Sequence, residues 1–132
     1  MEDLGKGTVE KCVIAGNMES GVQITAGGNP IVRDCEVRGN GGSGVYVVEQ
    51  GLGRIEKCVI SENGLSGVLI IKGSNAVVRD CVIRDGKTAG VSVHTQGQGT
   101  FTGNTLAGNA SGAWRIDVSA GKVVRTDNRP NE

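Results

Sequence analysis

The side chains with most chemistry to offer in this chain are four cysteines, Cys12, Cys35, Cys58 and Cys81, and a single histidine, His94. Zinc sites draw on close cysteine pairs, and no two cysteines here are nearer than 23 residues, so neither a metal site nor a cofactor is expected. If the chain coils once per step, stacked cysteine Cα atoms would lie about 4.8 Å apart, within disulfide range. Stacked side chains point the same way, however, which holds their Cβ atoms farther apart than the ~3.8 Å the bond prefers. The spacing predicts four free thiols packed as small apolar groups.

One step of 23 from His94 lies Asp117, with Arg115 close by. His94, Asp117 and Arg115 are therefore the candidate catalytic group. They include no nucleophile with its base. Glycoside hydrolysis would need two or three clustered carboxylates, and Asp117 is the one acid among the outward positions of its strand column.

The elements that must position these residues follow from the same count. Gly21, Gly44, Gly67 and Gly90 share the period of 23, each followed by Val22, Val45, Val68 or Val91. This repeat is too short for a helical pair and too poor in leucine for a leucine-rich horseshoe. Val22/Ile24, Val45/Val47, Val68/Ile70 and Val91/Val93 alternate with Gln23, Tyr46, Leu69 and Ser92 at the strand period of two. A second apolar column runs Val9, Val32, Ile55, Val78, Phe101, Val124, and a third Ile14, Val37, Ile60, Ile83, Leu106. Three short runs per turn, separated by glycine and asparagine corners, predict three parallel sheets. Because parallel crossovers are right-handed, the expected fold is all-β: a right-handed single-stranded parallel β-helix, a solenoid of about five to six rungs of 23 residues.

Asn17, Asn40, Asn63 and Asn109 form a corner column broken by Gly86, expected to be an internal side-chain ladder at a tight bend whose left-handed backbone both residue types tolerate. Glu10-Lys11, Arg33-Asp34, Glu56-Lys57 and Arg79-Asp80 alternate in sign from rung to rung. Exposed pairs contribute only ~0–1 kcal/mol each, so this ladder reads as a register device. The full duplication is two rungs, 46 residues: Glu10-Lys11-Cys12-Val13-Ile14 recurs as Glu56-Lys57-Cys58-Val59-Ile60.

Composition agrees. Aromatic residues are 2% and glycines number 23 in 132 residues, so the core is a narrow stack. Fourteen basic residues balance 14 acidic ones, without the basic face that nucleic acid wants. No apolar run reaches the ~20 residues of a membrane span. Residues 1–132 read as one domain, with 1–8 an incomplete first rung and 122–132 a partial rung and polar tail, and Trp114 followed by that proline-containing tail reads as a cap on the coil. The charged segment Met1 to Thr8 is unlike a secretory leader, which points to the cytoplasm or to a piece of a larger protein.

The pattern V-x-x-C-x-I-x-x-N-x-x-S-G-V-x-I, with corners such as Gly28-Asn29-Pro30 and Gly51-Leu52-Gly53, resembles the NosD-like and CASH right-handed β-helix repeats over about residues 7 to 118. It is similar to the substrate-recognition coil of F-box-only proteins. That family commonly carries asparagine where Cys12, Cys35, Cys58 and Cys81 stand, a choice kept here at Asn104. The resemblance implies binding of proteins or carbohydrates. More distant relatives with the pectate-lyase-like coil cleave acidic polysaccharides, and this chain lacks their signature residues.

Alternation places Tyr46, Val48, Leu69 and Ile71 on the outside of one face, an apolar patch of the kind that marks contact sites, rimmed by Gln23, Thr25, Ser92 and His94. The expected role is a non-catalytic module binding a protein or carbohydrate partner through this face. Two alternatives are a carbohydrate-active, lyase- or hydrolase-like domain, and a structural segment whose open N-terminal edge pairs with a second copy.

Overall fold

The computed structural model describes residues 5–131. Every element in it is a strand, and each turn of the chain lays down three. The first turn gives β1 (Thr8–Glu10), β2 (Val13–Ala15) and β3 (Val22–Ile24); the second β4 (Ile31–Arg33), β5 (Glu36–Arg38) and β6 (Val45–Val47). The third gives β7 (Arg54–Glu56), β8 (Val59–Ser61) and β9 (Val68–Ile70); the fourth β10 (Asn75–Arg79), β11 (Val82–Arg84) and β12 (Val91–Val93). The fifth gives β13 (Gln98–Thr102), β14 (Thr105–Ala107) and β15 (Trp114–Ile116), and β16 (Val123–Thr126) opens a sixth. They stack as three parallel sheets, β1-β4-β7-β10-β13-β16, β2-β5-β8-β11-β14 and β3-β6-β9-β12-β15. Of the expected incomplete first rung, residues 1–4 lie outside the described residues.

Register follows the period of 23, as in Val22↔Val45, Val45↔Val68 and Val68↔Val91. Identical apolar side chains therefore pile into one dry column of valine, isoleucine and cysteine, with Phe101 the largest fully buried side chain. The glycine column allows this close approach. A Cβ at Gly44 would meet Ile60 Cγ2 at 2.5 Å and the Gly67 carbonyl oxygen at 2.7 Å. One step beyond Gly90 the column ends in Ala113, the residue before β15, and since β15 is the last strand of its sheet no further rung among the described residues crowds that methyl.

Cys35, Cys58 and Cys81 are buried, Cys12 is half-buried, and all four are free thiols. Each buried thiol donates to a carbonyl of the preceding turn: Cys35 to Val9 O at 3.7 Å, Cys58 to Val32 O and Cys81 to Ile55 O at 3.5 Å. Asn104 continues the column and donates Nδ2 to Val78 O at 3.0 Å. The cysteines thus make a weaker, more compact version of the asparagine contact. Burial pushes the Cys35 thiol up, and hydrogen bonding with Cys58 together with burial does the same to Cys81. Neither is a nucleophile near neutral pH.

Three features depart from the sequence reading. The corner asparagines do not make the bend: the left-handed residue is the one before each, Gly16, Gly39, Glu62, Asp85 and Gly108. The asparagines do form the ladder expected of their column, Asn17 Nδ2 donating to Asn40 Oδ1 at 2.8 Å and Asn40 Nδ2 to Asn63 Oδ1 at 3.0 Å, with Gly86 N donating to Asn109 Oδ1 where the side chain is missing. The last turn takes one extra residue, so Arg125 rather than Val124 lies opposite Phe101. Val124 is turned outward, while the Arg125 guanidinium sits 5.2 Å from the centroid of the Trp114 ring. Trp114 in turn packs edge-on against Phe101, ring centroids 5.4 Å apart. The third departure concerns the outer face of β3-β6-β9-β12-β15.

Candidate functional site

On that face the apolar patch is smaller than alternation suggests. Val48 and Ile71, expected outside, are 5% and 8% exposed. Both stand where the strand runs into a left-handed corner at Glu49, Gln50 and Lys72, and the chain folds back so that Gly51 N bonds Val48 O and Ser74 N bonds Ile71 O. Flanked by rungs on both sides, these side chains are packed away and offer a partner no surface. Ser92 is buried as well, while Gln23, Thr25, Tyr46, Leu69 and His94 are half-buried. Tyr46 and Leu69 remain side by side as register partners.

What the fold builds there is a groove of about 520 Å³, a size suited to a small ligand. It crosses three rungs obliquely. Leu65, Ser66 and Leu69 line it in the third turn, Thr88, Ser92, His94 and Thr95 in the fourth, and Arg115, Asp117 and Ser119 in the fifth. It gathers Leu69, Ser92 and the whole His94, Asp117, Arg115 group, and leaves out Gln23, Thr25, Tyr46, Val48 and Ile71. Sequence reasoning missed Leu65, Ser66, Thr88, Thr95 and Ser119. They lie in the corners, where alternation says nothing, though Leu65 and Thr88 share the 23-residue step.

The groove changes character along its length. Leu65, half exposed, and Leu69 make one end apolar. In the middle the hydroxyls bond one another, Ser66 Oγ with Ser92 Oγ at 2.6 Å and with Thr88 Oγ1 at 3.4 Å. The far end is ionic. Asp117 Oδ2 accepts from both the N–H and the hydroxyl of Ser119, at 2.9 and 2.5 Å. These bonds, the hydroxyl's first, hold the Asp117 carboxyl below the usual aspartate value, with the nearby His94 adding to the effect. The Ser119 hydroxyl also accepts from Thr95 N at 2.8 Å, and Thr95 Oγ1 shares a hydrogen bond with His94 Nδ1 at 2.8 Å. His94 and Asp117 are thus tied together through two corner residues and not by a direct bond.

This leaves Arg115 alone. Its strand register sets it beside Ser92, it is exposed, and among the described residues its guanidinium has no ion pair or hydrogen bond. The one acid lining the groove, Asp117, is hydrogen-bonded to Ser119 and keeps its negative charge, so the groove holds one cation and one anion that make no direct ion pair. Among the described residues no group of histidine, cysteine and acid side chains could hold a metal ion, and no helix is long and apolar enough to cross a membrane.

A second depression, lined by Glu10, Lys11, Arg33, Asp34, Glu56, Lys57 and Arg79, is the charge ladder. Arg33 Nε lies 2.9 Å from Glu10 and Arg79 Nε 2.6 Å from Glu56. These two ion pairs each join one rung to the next, as a register device should, while Lys11, Asp34 and Lys57 form no ion pair among the described residues.

No curated protein sequence matches the chain. Among solved structures the chain is similar to the periplasmic alginate epimerase AlgG, with a TM-score of 0.81 at 18% identity over 92% of this chain, and equally to a point mutant of that enzyme. The chain spans about one third of the epimerase, 33% of its length. At that identity the likeness is one of fold. The model of the right-handed β-helix region matches residues 1–128, and with three stacked parallel sheets in a 23-residue register the chain belongs to the right-handed β-helix family.

Proposed function

We propose that this chain is a carbohydrate-binding β-helix segment whose groove holds an acidic glycan, with the carboxylate of one sugar on Arg115. The observation that carries the reading is the free guanidinium. The Arg115 guanidinium stands beside Ser92 with its donors open, because Asp117 turns its carboxylate to Ser119 and makes no ion pair with it, and a ligand carboxylate placed on the guanidinium forms a charge-assisted bond. Hydroxyl-bearing neighbours suit the hydroxyls of a sugar. The fold likeness to an enzyme acting on alginate supports the same ligand class. This reading keeps the binding role and replaces the broad apolar patch with the groove as its surface.

Calorimetric titration with an oligouronate tests it. Arg115→Ala should weaken binding by about tenfold, the low end of a hydrogen bond to a charged group, and a neutral oligosaccharide of the same length should bind less tightly than the acidic one. Equal affinity of wild type and Arg115→Ala, or no binding of the oligouronate, overturns it.

A second reading, that the groove also transforms the glycan, is favoured by one feature: His94 shares the groove with the cation that would hold the substrate's acid. An imidazole beside a neutralised carboxylate can serve as a general base. Incubating the protein with a polyuronate and following chain length and sugar stereochemistry by NMR decides it. Change abolished in His94→Ala supports catalysis, and an unaltered polymer leaves binding alone.

A further inference from the structure

We infer that the end of the groove opposite Arg115 reads an acyl group, so that the preferred ligand is an O-acylated acidic glycan. This rests on the reading of the groove as an acidic-glycan site. Leu65 and Leu69 stand two rungs from Arg115, about 9.5 Å across the stack at ordinary strand spacing, with a further offset along the strands because the groove is oblique. Leu65 is 50% exposed and Tyr46 lies beside Leu69 in register, so the apolar end continues onto the ring. The hydroxyls between the two ends already bond one another.

A bare uronate chain matches this groove at one end only. With its carboxylate on Arg115, a neighbouring sugar brings hydroxyls or a second carboxylate onto leucine, where they lose water and gain no partner. An ester at that hydroxyl removes the mismatch. It caps the donor and sets a methyl against Leu65 and Leu69, while the acid on the other sugar still meets the guanidinium. The two ends of the site therefore select two substituents on one chain and fix its direction in the groove.

The test uses one oligouronate in O-acetylated form and after mild de-esterification, titrated into wild type, Leu69→Ser, Leu65→Ser and Arg115→Ala. Wild type should bind the acetylated form about fourfold more tightly, the affinity that burying one methyl-sized group adds. That ratio should fall to about one in both leucine variants and persist in Arg115→Ala, where both forms bind more weakly. Leu65 sits at an exposed corner, so its variant keeps the comparison open if Leu69→Ser unfolds. Equal binding of the two forms by wild type, with both weakened by Arg115→Ala, overturns the acyl reading and leaves the acidic-glycan reading standing. Failure of both forms to bind wild type overturns both readings.

Discussion

Asn128 Oδ1 accepts hydrogen bonds from both the backbone N–H and the side-chain Nδ2 of Asn104, at 3.0 and 2.9 Å. The polar tail thereby continues the column that the four cysteines begin. Asn128 Nδ2 reaches back to Phe101 O at 2.9 Å, as Asn104 does to Val78 O, and Asn131 Oδ1 receives the N–H and Nδ2 of Asn128 in turn. Nearby, Arg129 O takes the N–H of Leu106 and Trp114 Nε1 donates to Pro130 O. Residues 128–131 thus satisfy polar groups that the last full rung would otherwise leave without partners.

Asn128 is buried, so Asn128→Ala strands two donors of Asn104 and the carbonyl of Phe101. The expected loss is about 1–3 kcal/mol, a fall of several degrees in Tm for a chain of this size. Thermal and urea denaturation would read it. A melting curve that overlays wild type would mean the tail lies loosely on the stack.

Gly44→Ala should cost about 1–3 kcal/mol by overpacking, because its Cβ would meet the fixed Gly67 carbonyl and Asn63 Nδ2 at 2.7 and 2.8 Å. Ala113→Gly, at the end of the same column, should change stability by less than about 1 kcal/mol. Urea unfolding of the pair checks this, and similar losses at both positions would contradict the close stacking.

Much of this architecture is legible in the chain. The cysteine and glycine-valine columns fix the period, and in-register stacking turns a period into a structure because each residue's environment is set by its own copy one turn away. What escapes is what breaks the copy. The extra residue before β16, which exchanges Val124 for Arg125 opposite Phe101, has no repeat to align it. The bends are made by residues as different as Gly39, Glu62 and Asp85, so composition does not mark them. The groove was half visible. His94, Arg115 and Asp117 follow from the period, whereas Ser119 enters through a corner contact to Asp117 that only folded geometry supplies, and the burial of Val48 and Ile71 depends on how the following corner closes.

Two exposed carboxylates give the stability a mild acid dependence. Arg33, by hydrogen bond and charge, holds Glu10 below the usual glutamate value, and Ser119 does the same to Asp117. Lowered folded values mean the contribution is complete above the unfolded values, near 4.5 and 3.8, and is lost as pH falls through the folded ones. Stability should therefore decline below about pH 5, and Glu10→Gln should flatten the decline. A Glu10→Gln profile parallel to that of wild type would show that the pair contributes nothing.

The central claim is that the oblique groove beside Arg115 is where an acidic glycan lies. Amide chemical shifts recorded while an oligouronate is added test it most directly. The account predicts a contiguous set of moving signals at Leu69, Ser92, His94, Arg115, Asp117 and Ser119, with the other two sheets still. Shifts centred on the charge ladder around Arg33 and Lys57, or none anywhere, would contradict it.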